Sequence, residues 1–267
     1  PKGYVLSEEE IAVTIGKVDE VVEIELVNYF IKGNIALTKV DEDYPDNKLS
    51  GAVFEVYSDT NGDGKLDKDD TLLGEMKELD GGVYQMSELR FGKYLVKETK
   101  APTGFVLDEN VYSVSVEENG KTYTVENKAG VGFINAAQKG SLKIVKTSSD
   151  GKVEGFSFRV TGVDYDQTFK TDKNGEIVIE GLRIGDYTVS EVSNKASAGY
   201  ILPADKQATV KVDATAIVQM HNEFRDTPKT GDDFNLGLWV SLAALSVVGA
   251  GVLGFVGYKN RKKKKED

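Results

Sequence analysis

The sequence has no cysteine and only one histidine, His221, in 267 residues. Without thiols there can be no disulfide framework, thiolate metal site or cysteine nucleophile. A single imidazole leaves almost nothing from which to build a histidine-based triad or a zinc centre, so the chain is not expected to be an enzyme. Before residue 226 no segment sustains helical periodicity and no low-complexity linker interrupts the chain. Nor does it open with Met or a charged-then-apolar export segment: it starts "PKGYVL", and we expect it to be a piece of a longer or processed protein. Positive charge is in deficit, with 33 Lys+Arg against 44 Asp+Glu and a net charge of −11. The final "KNRKKKKED" carries six positive and two negative charges, which leaves about −15 on residues 1–258 and makes nucleic acid an unsuitable partner.

What is present begins at the C-terminal end. The segment "FNLGLWVSLAALSVVGAGVLGFVGY" (234–258, containing Trp239) runs 25 residues without a charge. About 20 suffice for a helix to cross a hydrocarbon core, so one transmembrane helix is predicted. The basic tail 259–267 follows at once and should stay cytoplasmic, placing everything before Phe234 outside the cell. Upstream stands "TPKTG", Thr227, Pro228, Lys229, Thr230 and Gly231. Pentapeptide, apolar stretch and basic tail in that order resemble the cell-wall sorting signal of Gram-positive LPxTG surface proteins, with Thr227 where that family has Leu. The resemblance implies sortase cleavage between Thr230 and Gly231 and transfer of the Thr230 carboxyl to a peptidoglycan precursor or a pilin lysine, after transient membrane insertion.

The rest of the chain repeats itself. "LRFGKYLVKETKAPTGFVL" (89–107) matches "LRIGDYTVSEVSNKASAGYIL" (182–202), and "IKGNIALTK" (31–39) matches "QKGSLKIVK" (138–146). Units therefore span 33–139 and 140–225, with 1–32 as the back half of an earlier unit and 226–267 as the sorting signal. Short runs rich in Val, Ile, Tyr, Phe and Thr, punctuated by Gly, Asn and Asp turns, predict all-β units. Each reads as an antiparallel, immunoglobulin-like β-sandwich of about seven strands.

Period-2 alternation also aims polar residues inward. Ile35 and Leu37 lead to Lys39, and Leu142 and Ile144 lead to Lys146. Tyr94 and Val96 lead to Glu98, and Tyr187 and Val189 to Glu191. Val131 and Phe133 lead to Asn135, Val218 and Met220 to Asn222, and Val22, Ile24 and Leu26 to Asn28. Asn127 competes with Asn135 in the first unit. Burial drives a lysine toward its neutral form and a carboxyl toward its protonated form. A neutral amine is a nucleophile, and a protonated carboxyl polarises an amide carbonyl, so the pattern predicts Lys–Asn isopeptide bonds formed without an external enzyme.

"YLVKETKAPTGF" (94–105) resembles the signature of the collagen-adhesin B-type domain of Gram-positive pilins and adhesins, a prealbumin-like sandwich. The resemblance implies Lys39–Glu98–Asn135 and Lys146–Glu191–Asn222 as crosslinking triads, each Glu assisting the bond between its Lys and Asn. The second unit departs from that signature after its glutamate. Separately, "DTNGDGKLDKDD" (59–70) has the ligand spacing of a calcium loop, with Asp59, Asn61, Asp63, Lys65 through its carbonyl, Asp67 and Asp70 as the donors. The expected function is the stalk of a wall-anchored surface adhesin or pilin subunit, with sortase, peptidoglycan precursor, other pilin subunits and host matrix proteins as candidate partners. The alternatives are the spacer and anchor of an enzyme whose catalytic domain lies upstream, and a module that itself binds a host ligand.

Overall fold

From Lys32 onward the alternation seen in the sequence is carried into strands in the computed structural model, which describes residues 1–225. In β1 (Lys32–Asp41) the side chains of Ile35, Leu37, Lys39 and Asp41 are buried on one face. The chain continues through β2 (Val53–Ser58), β3 (Thr71–Glu75), β4 (Lys77–Glu78), β5 (Val83–Arg90), β6 (Gly92–Lys100), β7 (Val111–Val116), β8 (Thr122–Thr124) and β9 (Phe133–Asn135). One sheet has the order β4-β5-β1-β8, with β9 also on β1, and the other runs β3-β2-β6-β7. Their inner faces supply a single core around Ile35, Leu37, Phe54, Tyr84, Val96 and Phe133.

The architecture then repeats. β10 (Lys139–Ser148), β11 (Ser157–Gly162), β12 (Tyr165–Lys170), β13 (Glu176–Arg183), β14 (Gly185–Val192), β15 (Tyr200–Ile201), β16 (Lys206–Val210) and β17 (Thr215–Phe224) form sheets ordered β13-β10-β17-β15 and β12-β11-β14-β16. Their core gathers around Leu142, Ile144, Phe158, Tyr187, Val189 and Met220.

The "KG" that opens each unit has a steric cause. A Cβ on Gly33 would lie 2.8 Å from the Lys121 carbonyl oxygen, and one on Gly140 would lie 2.1 Å from that of Lys211. Both glycines sit where the register slips by a bulge against the neighbouring antiparallel strand. A tyrosine corner recurs as well: the Tyr94 hydroxyl donates to the Arg90 carbonyl at 2.6 Å, and that of Tyr187 to the Arg183 carbonyl at 2.9 Å.

Three sequence expectations need correction. The sandwiches are not purely antiparallel, because β1 runs parallel to β8 and β9, and β10 runs parallel to β17. A parallel neighbour needs a long crossover, and the rest of each sandwich serves as that connection. Strands number nine and eight rather than about seven: a turn closed by the Lys128–Gly132 bridge splits the last strand into β8 and β9, and β4 and β15 are two-residue pieces. Finally, residues 5–29 form no strand. Only their ends pair, through the Tyr4–Phe30 bridge and its stacked rings at 4.6 Å. Val22, Ile24 and Leu26 are exposed, since alternation makes a strand only where a neighbouring strand can bond to it.

Among the described residues no helix is long and apolar enough to cross a membrane. The pentapeptide 227–231, the apolar run 234–258 and the basic tail lie outside the described residues.

Candidate crosslinking site

Parallel pairing of first and last strands brings lysine and asparagine to the same end of each sandwich. Lys39 pairs with Phe133, and Asp41, two residues on, pairs with Asn135. In the second sandwich Lys146 pairs with Met220 and Ser148 with Asn222. In both, the asparagine is therefore the same-face diagonal neighbour of the lysine, within reach of a long side chain. The glutamate comes from the facing sheet, again at matched register: Glu98 stands opposite Phe54, and Glu191 opposite Phe158.

In the first sandwich all three side chains are removed from water, Lys39 and Glu98 completely. The Lys39 amine lies 3.7 Å from Glu98 Oε1, donates to the Phe133 carbonyl at 3.1 Å and faces the Phe133 ring at 4.9 Å. Asn135 Nδ2 donates to both Glu98 oxygens at 3.0 Å, while Asn135 Oδ1 is buried without a partner. Burial lowers the Lys39 pKa to about 8, against the raising pull of Glu98 and Asp108. Burial likewise raises the Glu98 carboxyl, against the Asp108 N–H, the Asn135 amide and the Lys39 charge. Both groups move toward their neutral forms.

The second site has the same composition and a looser arrangement. Lys146 and Asn222 are buried and Glu191 is half-buried. Asn222 Nδ2 donates to Glu191 Oε1 at 2.8 Å, and the Lys146 amine donates to the Thr147 carbonyl and faces the Phe156 ring at 4.2 Å. Burial lowers the lysine and raises the glutamate here too. Asn222 Oδ1 and Glu191 Oε2 have no partner.

Residues 33–129 and 140–224 each match the SpaA prealbumin-like fold domain. The chain is a member of that family. The *Bacillus anthracis* TIE protein is similar at 25% identity with a TM-score of 0.63, over 84% of this chain, which spans 39% of that protein. GBS52, the minor pilin of *Streptococcus agalactiae*, aligns at 18% identity over 75% of this chain and 100% of its own, with a TM-score of 0.33. The shaft pilin SpaA of *Lactobacillus rhamnosus* GG aligns at 14% identity over 74% of this chain and 99% of its own, also at 0.33. No curated protein matches the chain.

Within these SpaA-type domains the other sequence candidates fall out as follows. Asn127 is kept from Lys39 by its own bonds to Asp108 and to the main chain of Ile134. Asn28 is exposed in the strandless segment. In the 59–70 loop the carboxylates bind the loop itself: Asp59 accepts from the Gly62 and Gly64 N–H groups, Asp63 from that of Lys65, and Asp70 from those of Thr60 and Asp67, while Asn61 donates to Asp67 at 3.2 Å. Among the described residues no group of three His, Asp or Glu side chains converges as a metal site. The sequence reading missed two features: Asp108 beside Glu98, and an ion cluster in which Arg183 grips Asp41 at 2.7 and 2.8 Å and Asp43 at 3.0 Å. Asp41 was legible as the residue after Lys39 on the same inward parity. Its partner lies 142 residues away and left no local signal.

Proposed function

We propose that this chain is the stalk of a Gram-positive surface adhesin or pilin subunit, each of whose SpaA-type sandwiches closes its own Lys–Asn isopeptide bond. The observation that carries the reading is the buried Lys39–Glu98–Asn135 cluster with its unpartnered Asn135 oxygen, repeated at identical strand offsets by Lys146, Glu191 and Asn222. A buried ammonium is costly to keep, and a covalent amide removes that charge permanently, leaving Glu98 beside it as a neutral acid.

The step balances without a cofactor. The neutral Lys39 amine attacks Asn135 Cγ and a C–N bond forms. Glu98 takes a proton from the attacking nitrogen and returns one to the departing amide nitrogen, the original C–N bond breaks, and ammonia leaves. Half a turn of the Asn135 amide lets its unpartnered oxygen accept from a protonated Glu98, polarising the carbonyl. Folding supplies the proximity. Treated as a long-loop crosslink, the Lys39–Asn135 bond contributes about 4 to 5 kcal/mol through the unfolded state. By joining first to last strand it also carries pulling force directly.

The intact mass of the chain tests the reading. The expected result is a loss of one ammonia per bond, with Glu98→Ala and Glu191→Ala each restoring one; a folded chain of unmodified mass overturns it.

The attachment proposal rests on the sequence order at 227–267. Sortase is expected to cut between Thr230 and Gly231 and join the stalk to a peptidoglycan precursor or another pilin subunit on the cell surface. Thr230→Ala should then leave the chain in the membrane fraction, and release of that variant into the wall fraction contradicts the assignment. Calcium at 59–70 is a separate proposal resting on ligand spacing. It predicts binding heat in calorimetry that Asp59→Ala abolishes, and the absence of heat from the unaltered chain removes it.

A further inference from the structure

Besides the looser packing of the second cluster, the two glutamates differ in what holds their second oxygen. Glu98 Oε2 accepts from the main-chain N–H of Asp108 at 2.8 Å as well as from Asn135, whereas Glu191 Oε2 is buried with no partner. The sequence gives the reason. When "GFVLD" (104–108) is laid on "GYILP" (199–203), Pro203 stands where the first sandwich has Asp108, and proline has no N–H to donate.

Asp108 is tied in from a second direction. Its Oδ2 accepts from the Tyr112 hydroxyl at 2.7 Å and from Asn127 Nδ2 at 2.8 Å. Asn127 clasps Ile134, the residue before Asn135, accepting its N–H at 2.6 Å and donating to its carbonyl at 2.8 Å. One residue thus connects the glutamate of one sheet to the asparagine-bearing strand of the other.

We propose that Asp108 is a positioning residue for the Lys39–Asn135 bond, its N–H directing the Glu98 proton to Oε1 and its carboxylate holding β9 in place through Asn127. The inference rests on the isopeptide reading above. Glu98 Oε2 accepts two N–H groups, from Asp108 and Asn135, and Oε1 only that of Asn135, so Oε2 is the poorer seat for a proton and the proton goes to Oε1, the oxygen 3.7 Å from the Lys39 amine. Glu191 has no such constraint, and its proton can settle on the unpartnered Oε2. The first bond therefore closes faster than the second.

The test uses the full chain made by cell-free synthesis, with time points quenched in acid, digested, and each crosslinked peptide quantified by mass spectrometry. Asp108→Pro is expected to slow the Lys39–Asn135 bond by about tenfold or more and leave Lys146–Asn222 unchanged. Pro203→Ala, which restores an N–H, is expected to speed the second bond. A pH series separates positioning from loss of fold. The charged groups acting on Glu98 are Lys39 on β1 and Asp108 before β7, and the Asp108 N–H, which lowers the carboxyl, outweighs the Asp108 charge, which raises it. The limb of the first bond's rate profile on which protonated Glu98 is lost should therefore move to higher pH in Asp108→Pro, whereas a merely damaged sandwich slows at every pH with that limb unmoved. If Asp108→Pro does not fold, Pro203→Ala decides alone. Unchanged rates and limbs in folded variants overturn this inference only; absence of both bonds from the unaltered chain overturns the crosslink reading and this inference with it.

Discussion

At the scale of the residue, a dry interior shifts Lys39, Glu98, Lys146 and Glu191 toward their neutral forms. Lys39 makes this measurable in a chain that cannot react. In Asn135→Ala the Lys39 amine stays buried, with a folded-state pKa near 8 against 10.5 unfolded. Between those values the unfolded chain binds the extra proton, so stability rises with pH through that window. The melting temperature of Asn135→Ala is therefore expected to climb from pH 8 to pH 10 relative to an Asn135→Ala/Lys39→Met control. Parallel curves for the two variants would show that Lys39 is charged in the folded state. The identity of these residues was legible because alternation assigns a face to each one. Asp108 was not legible: its contribution to Glu98 is a main-chain N–H, which every residue except proline has, and only comparison with Pro203 shows that it matters.

At the scale of the element, alternation fixed which side of each strand faces the core but not which strand lies next to it. That is why the parallel pairing of β1 with β9 and of β10 with β17 came only from the structure. The same limit explains residues 5–29, where a clean apolar alternation stays exposed. The opening "KG" is the reverse case, a repeat visible in sequence whose meaning is steric. Gly140→Ala forces a methyl against the Lys211 and Ala214 carbonyls, and is expected to cost about 1–3 kcal/mol. Chemical denaturation of a variant already lacking the crosslink, Glu191→Ala, measures this; equal stability with and without the methyl would show that the bulge can open at no cost.

At the scale of the whole molecule, the two sandwiches follow one another without a linker and meet through charge. Arg183 of the second sandwich, with 14% of its side chain exposed, pairs with Asp41 of the first at 3% and with Asp43, while Lys139 reaches Asp43 at 3.1 Å. Burial alone would raise the Asp41 carboxyl, but the Arg183 bonds and the N–H groups of Asp43 and Tyr44 outweigh it and hold it below the usual range. The main chain adds its own tie, with the Ile184 N–H donating to the Gln138 carbonyl at 3.1 Å. Arg183→Ala leaves Asp41 buried and unpaired, and is expected to cost about 3 kcal/mol and to broaden the distance distribution between spin labels placed one in each sandwich. An unchanged distribution would mean that the ion cluster does not set the junction.

The central claim is that each sandwich is closed by a covalent bond between its first and last strands. Tandem mass spectrometry of a proteolytic digest of the natively folded chain tests it most directly. Two branched peptides are expected, one joining the Lys39 and Asn135 segments and one joining those of Lys146 and Asn222, each lighter by one ammonia than its two parts. Recovery of all four segments as separate, unmodified linear peptides from folded material would contradict it.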